Sequence, residues 1–299
     1  MVIAVIGIGS NSVRMLLAEA ANGVMRRIRR DRAGTRLFAG LDERKRLCAQ
    51  AMLTTLAAVE KMAADARAFG VEAIHLFATS AVRDAANQAE FAALLRERTG
   101  LTLEICSGEE EAALSFFGAG GGGDCGVIDI GGGSTEVIVG AGMALRCALS
   151  CQMGAVRLAG LHPIHDHGDL HYVEAIADDI LAHQLALHPA LTLPNAWYGT
   201  GGTFTTLAAI VRSVHWTDRT FIHGTVLTLA QVEKTARTLA DMPIEERKKL
   251  PGLQPNRADI IVHGMCILLS CMRRLGISEI TVSEYGNLEG YVKRHYGVQ

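Results

Sequence analysis

Three glycine-rich turns carry the spacing most suggestive of chemistry. Gly9-Ser10-Asn11-Ser12 and Gly131-Gly132-Gly133-Ser134-Thr135 each stand between two apolar runs of β character. Glycine and small polar residues at such a place let the backbone turn tightly with its N–H groups outward. The result is a concave nest for an anion such as phosphate. The third turn, Gly199-Thr200-Gly201-Gly202-Thr203, follows a strand-like run and opens a helical one. Phosphate groups also bind in that context, with Gly201, Gly202 and Thr203 as the candidate ligands.

Carboxylates lie close to these turns. In Ser107-Gly108-Glu109-Glu110-Glu111-Ala112 the Ser107/Glu110 spacing is that of a helix capping box, which gives Glu110 a structural task. Glu111 is not needed for the cap and is the better placed of these two candidate catalytic carboxylates to deprotonate an attacking water. A solvated glutamate favoured by the helix dipole is the plainer alternative. Asp129 and Glu136 flank the second glycine turn, where hard oxygen ligands beside phosphate suit Mg²⁺. Asp129 would otherwise simply order the turn. Arg83 follows a strand-like run and is expected at a carboxyl strand end, where its fork could clamp a phosphate.

The elements that must position these groups follow from an internal repeat. Residues 5–17 lie without gaps over residues 127–139, both reading strand, glycine turn, strand. After the first copy the periodicity predicts a helix over 44–69, a strand over 74–78 and a helix over 90–98 with an Asn87/Glu90 capping box. After the second it predicts strands over 143–149, up to 198 and over 280–283. Helices are predicted over 172–187, 204–212, 231–239 and 258–275. Two related α/β domains are expected, 1–118 and 119–299, joined at the glycine cluster 118–123, with a ligand cleft between them.

Composition narrows the setting. A formal net charge of −2 on 299 residues advertises no nucleic-acid partner. The N-terminus lacks a basic leader and reads as a buried strand, and no uncharged apolar run is long enough to span a bilayer. The seven cysteines form no C-x-x-C pair or framework spacing. A cytoplasmic chain with reduced core thiols and no membrane partner is expected. Arg26, Arg27, Arg29, Arg30, Arg32 and Arg36 read as the wet face of a hairpin rather than an approach route for a polyanion. His162, His165, His167 and His171, with Asp166 and Asp169, match no zinc spacing and read as a flexible surface loop.

Taken in order, Gly9-Ser-Asn-Ser12, Ala78-Thr-Ser-Ala-Val-Arg83, Ser107-Gly-Glu-Glu-Glu-Ala112, Asp129-Ile-Gly-Gly-Gly-Ser-Thr-Glu136, Met153-Gly-Ala-Val-Arg157, Gly199-Thr-Gly-Gly-Thr203 and Arg257-Ala-Asp259 resemble the Ppx/GppA phosphatase family over nearly the whole chain. The resemblance implies two ribonuclease-H-like domains of the actin-like ATPase superfamily. It implies Mg²⁺-dependent hydrolysis of a terminal phosphoanhydride, in polyphosphate or guanosine pentaphosphate, with Glu111 as base. It also implies a substrate-site role for Arg83, metal and phosphate-site roles for Asp129 and Glu136, the short two-domain type and a homodimer. The chain departs from the family at Gly7, where relatives usually carry Asp, and at Glu284, where they often carry Asp. Two other activities fit the same residues: a kinase of the superfamily, and a catalytically weak sensor, for which Gly7 speaks.

Overall fold

A computed structural model of the chain describes residues 1–120 and 122–298. Gly121, inside the glycine cluster expected at the domain boundary, lies outside the described residues. The chain forms two compact units, Met1–Gly118 with Asn287–Gln299, and Ala119–Gly286.

The first unit contains β1 (Val2–Ile8), β2 (Ser12–Ala21), β3 (Val24–Gly34), α1 (Ala49–Phe69), β4 (Ala73–Ala78), α2 (Ser80–Arg83), α3 (Gln88–Thr99), β5 (Leu103–Ile105) and α4 (Gly108–Ala119). Its sheet runs β3-β2-β1-β4-β5, antiparallel through the first three strands and parallel from β1 to β4 and β5. Side chains alternate along a strand, so β1 feeds two cores: Ala4, Ile6 and Ile8 on one face, Ile3 and Val5 on the other. The second unit contains β6 (Asp124–Ile130), β7 (Thr135–Ala141), β8 (Ala144–Cys151), α5 (Ala155–Leu161), α6 (Leu170–Ala186), β9 (Trp197–Thr200), α7 (Gly202–Arg212), α8 (Arg219–Ile222), β10 (Val226–Thr228), α9 (Leu229–Ala240), α10 (Ile244–Arg247), α11 (Ile261–Arg274) and β11 (Glu279–Val282). Its sheet order, β10-β11-β9-β6-β7-β8, repeats the first with one added edge strand. The buried α11 packs along α6 and α9.

The last helix, α12 (Asn287–Tyr296), departs from the sequence division at 119–299, because it packs with the first unit. Leu288, Tyr291 and Val292 are buried there with Ile3, Val5 and Leu16. At Gly290 a Cβ would lie 1.8 Å from the Leu114 carbonyl oxygen, so only glycine lets α12 approach α4. The C-terminal helix is held to β4 and β5 by polar groups as well. The Tyr291 hydroxyl donates to Glu104 at 2.9 Å and lies 3.2 Å from His75 Nδ1, which must therefore donate to it. His75 Nε2 then accepts from the Tyr296 hydroxyl at 2.6 Å.

Burial, with help from the neighbouring His295 and against Glu104, holds His75 below the ordinary histidine range. Its neutral form is the one the fold prefers, so its contribution to stability is complete above pH about 6.5 and declines as pH falls below that value. Urea unfolding at pH 7.5 and pH 5 is expected to show a loss that His75→Asn reduces. An equal loss in the variant would place the pH dependence elsewhere.

The expected helices and strands form with local differences. The first long helix starts at Ala49, not residue 44, because a turn of 3-10 helix (Leu37–Gly40) and the Leu41/Leu47 bridge come before it. The Asn87/Glu90 capping box does not form. The Asn87 amide bonds both backbone groups of Leu47, and Glu90 pairs with Arg46. Five of the six arginines, from Arg26 to Arg32, lie on the edge strand β3, where Arg26 pairs with Glu19, Arg29 with Asp31, and Arg27 and Arg30 with the buried Glu289. Charged residues on an edge also deter pairing with another sheet. Among the described residues no helix is long and apolar enough to cross a membrane.

Candidate active site

The two glycine turns are built alike. Gly9 N–H donates to the Ser12 carbonyl at 3.0 Å, and Gly131 N–H to the Ser134 carbonyl at 3.0 Å. In both, the segment after the third strand takes up the turn's carbonyls. Thr35 and Arg36 N–H bond the Asn11 oxygen and Phe38 N–H the Ser10 oxygen; Ala155 N–H bonds the Gly131 oxygen, and Val156 and Arg157 N–H the Gly132 oxygen. Arg157 Nε adds a bond to the Gly133 oxygen at 2.6 Å. In a trans peptide the N–H points opposite its C=O, so pinning the carbonyls aims the amides of Asn11, Ser12, Gly132 and Gly133 the other way, as an anion nest requires. Side-chain groups in these turns are held back from protein partners too. Both amide atoms of Asn11 and the Ser134 hydroxyl are buried without a hydrogen-bond partner among the described residues. Ser10 bonds Ser80, and the Thr135 hydroxyl is committed to the Met153 carbonyl.

In the first unit, the capping box forms as expected. Glu110 accepts from Ser107 N–H at 2.8 Å, and Ser107 Oγ accepts from Glu110 N–H at 3.1 Å. Glu110 is thereby used at the exposed helix start. Glu111 is 6% exposed, and Arg83 Nη1 donates to its Oε2 at 2.9 Å and to the Cys106 carbonyl at 3.1 Å. Arg83 thus orients the candidate base. The Cys106 thiol, pushed up to about 12 by burial and by Glu111 and other carboxylates, stays protonated beside them. Arg14, opposite Gly7 in the β1/β2 ladder, donates to Asn287 at 3.1 Å.

In the second unit, Asp129 and Glu136 face each other directly across β6 and β7. Opposed carboxylates repel unless a proton or a positive charge intervenes. Asp129 is 9% exposed; Glu136 is fully buried and accepts from Ser150 Oγ at 2.9 Å. Gly201, at φ +96°, leaves room beside Asp129, since a Cβ there would lie 2.8 Å from Oδ1. At Gly202 a Cβ would lie 1.9 Å from Arg257 Nη2, so that glycine admits the guanidinium to the turn. Thr203 turns away: its hydroxyl lies 2.4 Å from where a Cβ on Gly264 would stand, and it is buried against α11. Arg157, Arg257, Ser80 and Ser150 were absent from the candidate ligands named from sequence. Arg157 and Arg257 did lie in motifs that resemble the family's, and that was the signal available.

The histidine loop has its own bonds. His167 Nδ1 lies 2.7 Å from Asp241, Asp166 caps Gly168, and Asp169 accepts from His165 N–H. Among the described residues no three His, Cys, Asp or Glu side chains converge as a metal cluster.

The model of the Ppx/GppA phosphatase family matches residues 16–296. The chain is 32% identical over 311 aligned positions to Exopolyphosphatase 2 of Mycobacterium tuberculosis, covering 96% of each. It is 29% identical to the guanosine-5'-triphosphate,3'-diphosphate pyrophosphatase of Vibrio cholerae, covering 97% of this chain and 58% of that one. The solved PPX-GPPA enzyme of Aquifex aeolicus superposes with a TM-score of 0.82 at 29% identity, covering 99% of both chains. The chain therefore belongs to the Ppx/GppA phosphatase family, with its actin-like ATPase two-domain fold and its phosphoanhydride-hydrolase class of activity.

Proposed function

We propose that the chain releases the terminal phosphate of inorganic polyphosphate or of guanosine pentaphosphate, with Glu111 as general base and Mg²⁺ as the assisting cation. Glu111 carries the proposal: it is a buried carboxylate free of the cap and oriented by the Arg83 fork. The two nests offer backbone donors to phosphate oxygens, and Arg257 brings positive charge to the third glycine turn at Gly202. Mg²⁺ takes one or two protein carboxylates and completes its shell with water and phosphate, which the Asp129/Glu136 pair fits by donor type. When bound, the ion offsets phosphate charge and polarises the transferred group. The chain's own work is to position the phosphates and the water and to hold the proton that Glu111 accepts.

Phosphate release from long-chain polyphosphate and from guanosine pentaphosphate, each with Mg²⁺ or with EDTA, tests this. Release from at least one substrate is expected, falling more than about tenfold with EDTA and in Asp129→Asn. Binding of both ligands with no release by the native chain would instead favour the sensor.

A further inference from the structure

The two halves of the repeat part company where a cation would be held. Asp129 lies opposite Glu136 and beside Thr200 of β9; the residues at the matching places in the first unit are Gly7, Arg14 and Phe77 of β4. A small polar neighbour in one sheet is thus an aromatic ring in the other. A Cβ at Gly7 would lie 3.0 Å from Phe77 Cζ and 3.1 Å from Leu288 Cδ2, so both would have to yield to any side chain there. A carboxylate would then be crowded against an apolar cluster of Phe77, Leu288, Leu114 and Tyr291, where burying a charge is costly even with Arg14 on the opposed strand.

Phe77 is not placed to yield. It is fully buried and stacks on Tyr291 with centroids 5.4 Å apart and planes 2° from parallel. Tyr291 is held in turn by Glu104 and His75 through its hydroxyl, and it stacks on His295 at 3.9 Å. The ring against Gly7 is therefore backed by a hydrogen-bonded, stacked support running into α12.

We propose that Phe77 is an exclusion residue: it closes the first hairpin to a carboxylate at position 7, so that a divalent cation is carried by the Asp129 hairpin alone. The proposal rests on the assignment of the cation to Asp129. It makes glycine at position 7 a packed feature of this chain, which a single substitution does not reverse.

Mn²⁺ is the probe, counted per chain by electron paramagnetic resonance, with thermal midpoints measured in parallel. The native chain is expected to bind one Mn²⁺ and Asp129→Asn none. Gly7→Asp should gain no second ion and lose several degrees of thermal midpoint, whereas Gly7→Asp/Phe77→Thr should bind a second ion, and Gly7→Asp should cost less in the Phe77→Thr background than in the native one. Gly7→Ala, which adds only a methyl group, should lower the midpoint too, and by less in a Phe77→Leu background than in the native one; this pair keeps the test decisive if the acidic variants do not fold. A second Mn²⁺ bound by Gly7→Asp alone at native stability would overturn the exclusion role, as would a native midpoint for Gly7→Ala. Retention of the native ion by Asp129→Asn would instead overturn the cation assignment, and with it the single-hairpin claim.

Discussion

Glu111→Gln is expected to lower kcat for phosphate release by about 10²- to 10⁴-fold, the usual range for removing a positioned general base. KM and the urea midpoint should stay near native. Glutamine fills the same space and keeps an oxygen to accept from Arg83 Nη1, now 2.9 Å from Glu111 Oε2, but it has no basic carboxylate to take a proton from water. The neighbouring Glu110→Gln is the matched control. Its side chain bonds Ser107 N–H at the exposed helix start, and glutamine serves a capping box equally well. Little change in either kcat or stability is expected from it. Steady-state kinetics and urea melts of the two variants separate a base from a first-turn glutamate. A Glu111→Gln chain working within tenfold of native would remove Glu111 from the chemistry.

Gly154→Ala should have the second large effect, about a 10²-fold loss in kcat/KM, the scale expected when bound groups are misplaced by about 1 Å. A Cβ at this position would lie 2.3 Å from the carbonyl carbon and oxygen of Gly132, and backbone cannot step aside as the end of a side chain can. The start of α5 must therefore retreat, pulling the Ala155, Val156 and Arg157 amides from the carbonyls they pin at Gly131 and Gly132. With those carbonyls released, the turn's own N–H groups lose their fixed aim, and an unaimed donor is a poor anion ligand. Gly160, in the same helix, meets nothing within 4 Å, so Gly160→Ala should leave activity intact and raise stability slightly. Kinetics on both variants, with circular dichroism to confirm the fold, decide the matter. Native kcat/KM in Gly154→Ala would show that the pinned carbonyls do not set the nest.

Much of this site was legible because its parts are local. A glycine turn between two apolar strands, a serine three residues before a glutamate, and a repeat of the same pattern are all properties of short stretches, governed by backbone sterics and one-turn hydrogen bonds. The sequence by itself therefore determined the two hairpins, the Ser107 cap that uses Glu110 rather than Glu111, the Asp129/Glu136 flank and the α/β character of both halves. Groups brought together across long separations were decided only by the tertiary structure. Arg83 reaches Glu111 across a strand and a helix; Arg257 enters the turn at Gly202; Thr203, a candidate ligand, turns instead into α11; α12 leaves the second half of the sequence to complete the first unit; and Phe77 fills the place beside Gly7. Local propensity cannot predict these meetings, because side chains distant in sequence become neighbours only through the strand order and the packing of helices on the sheets.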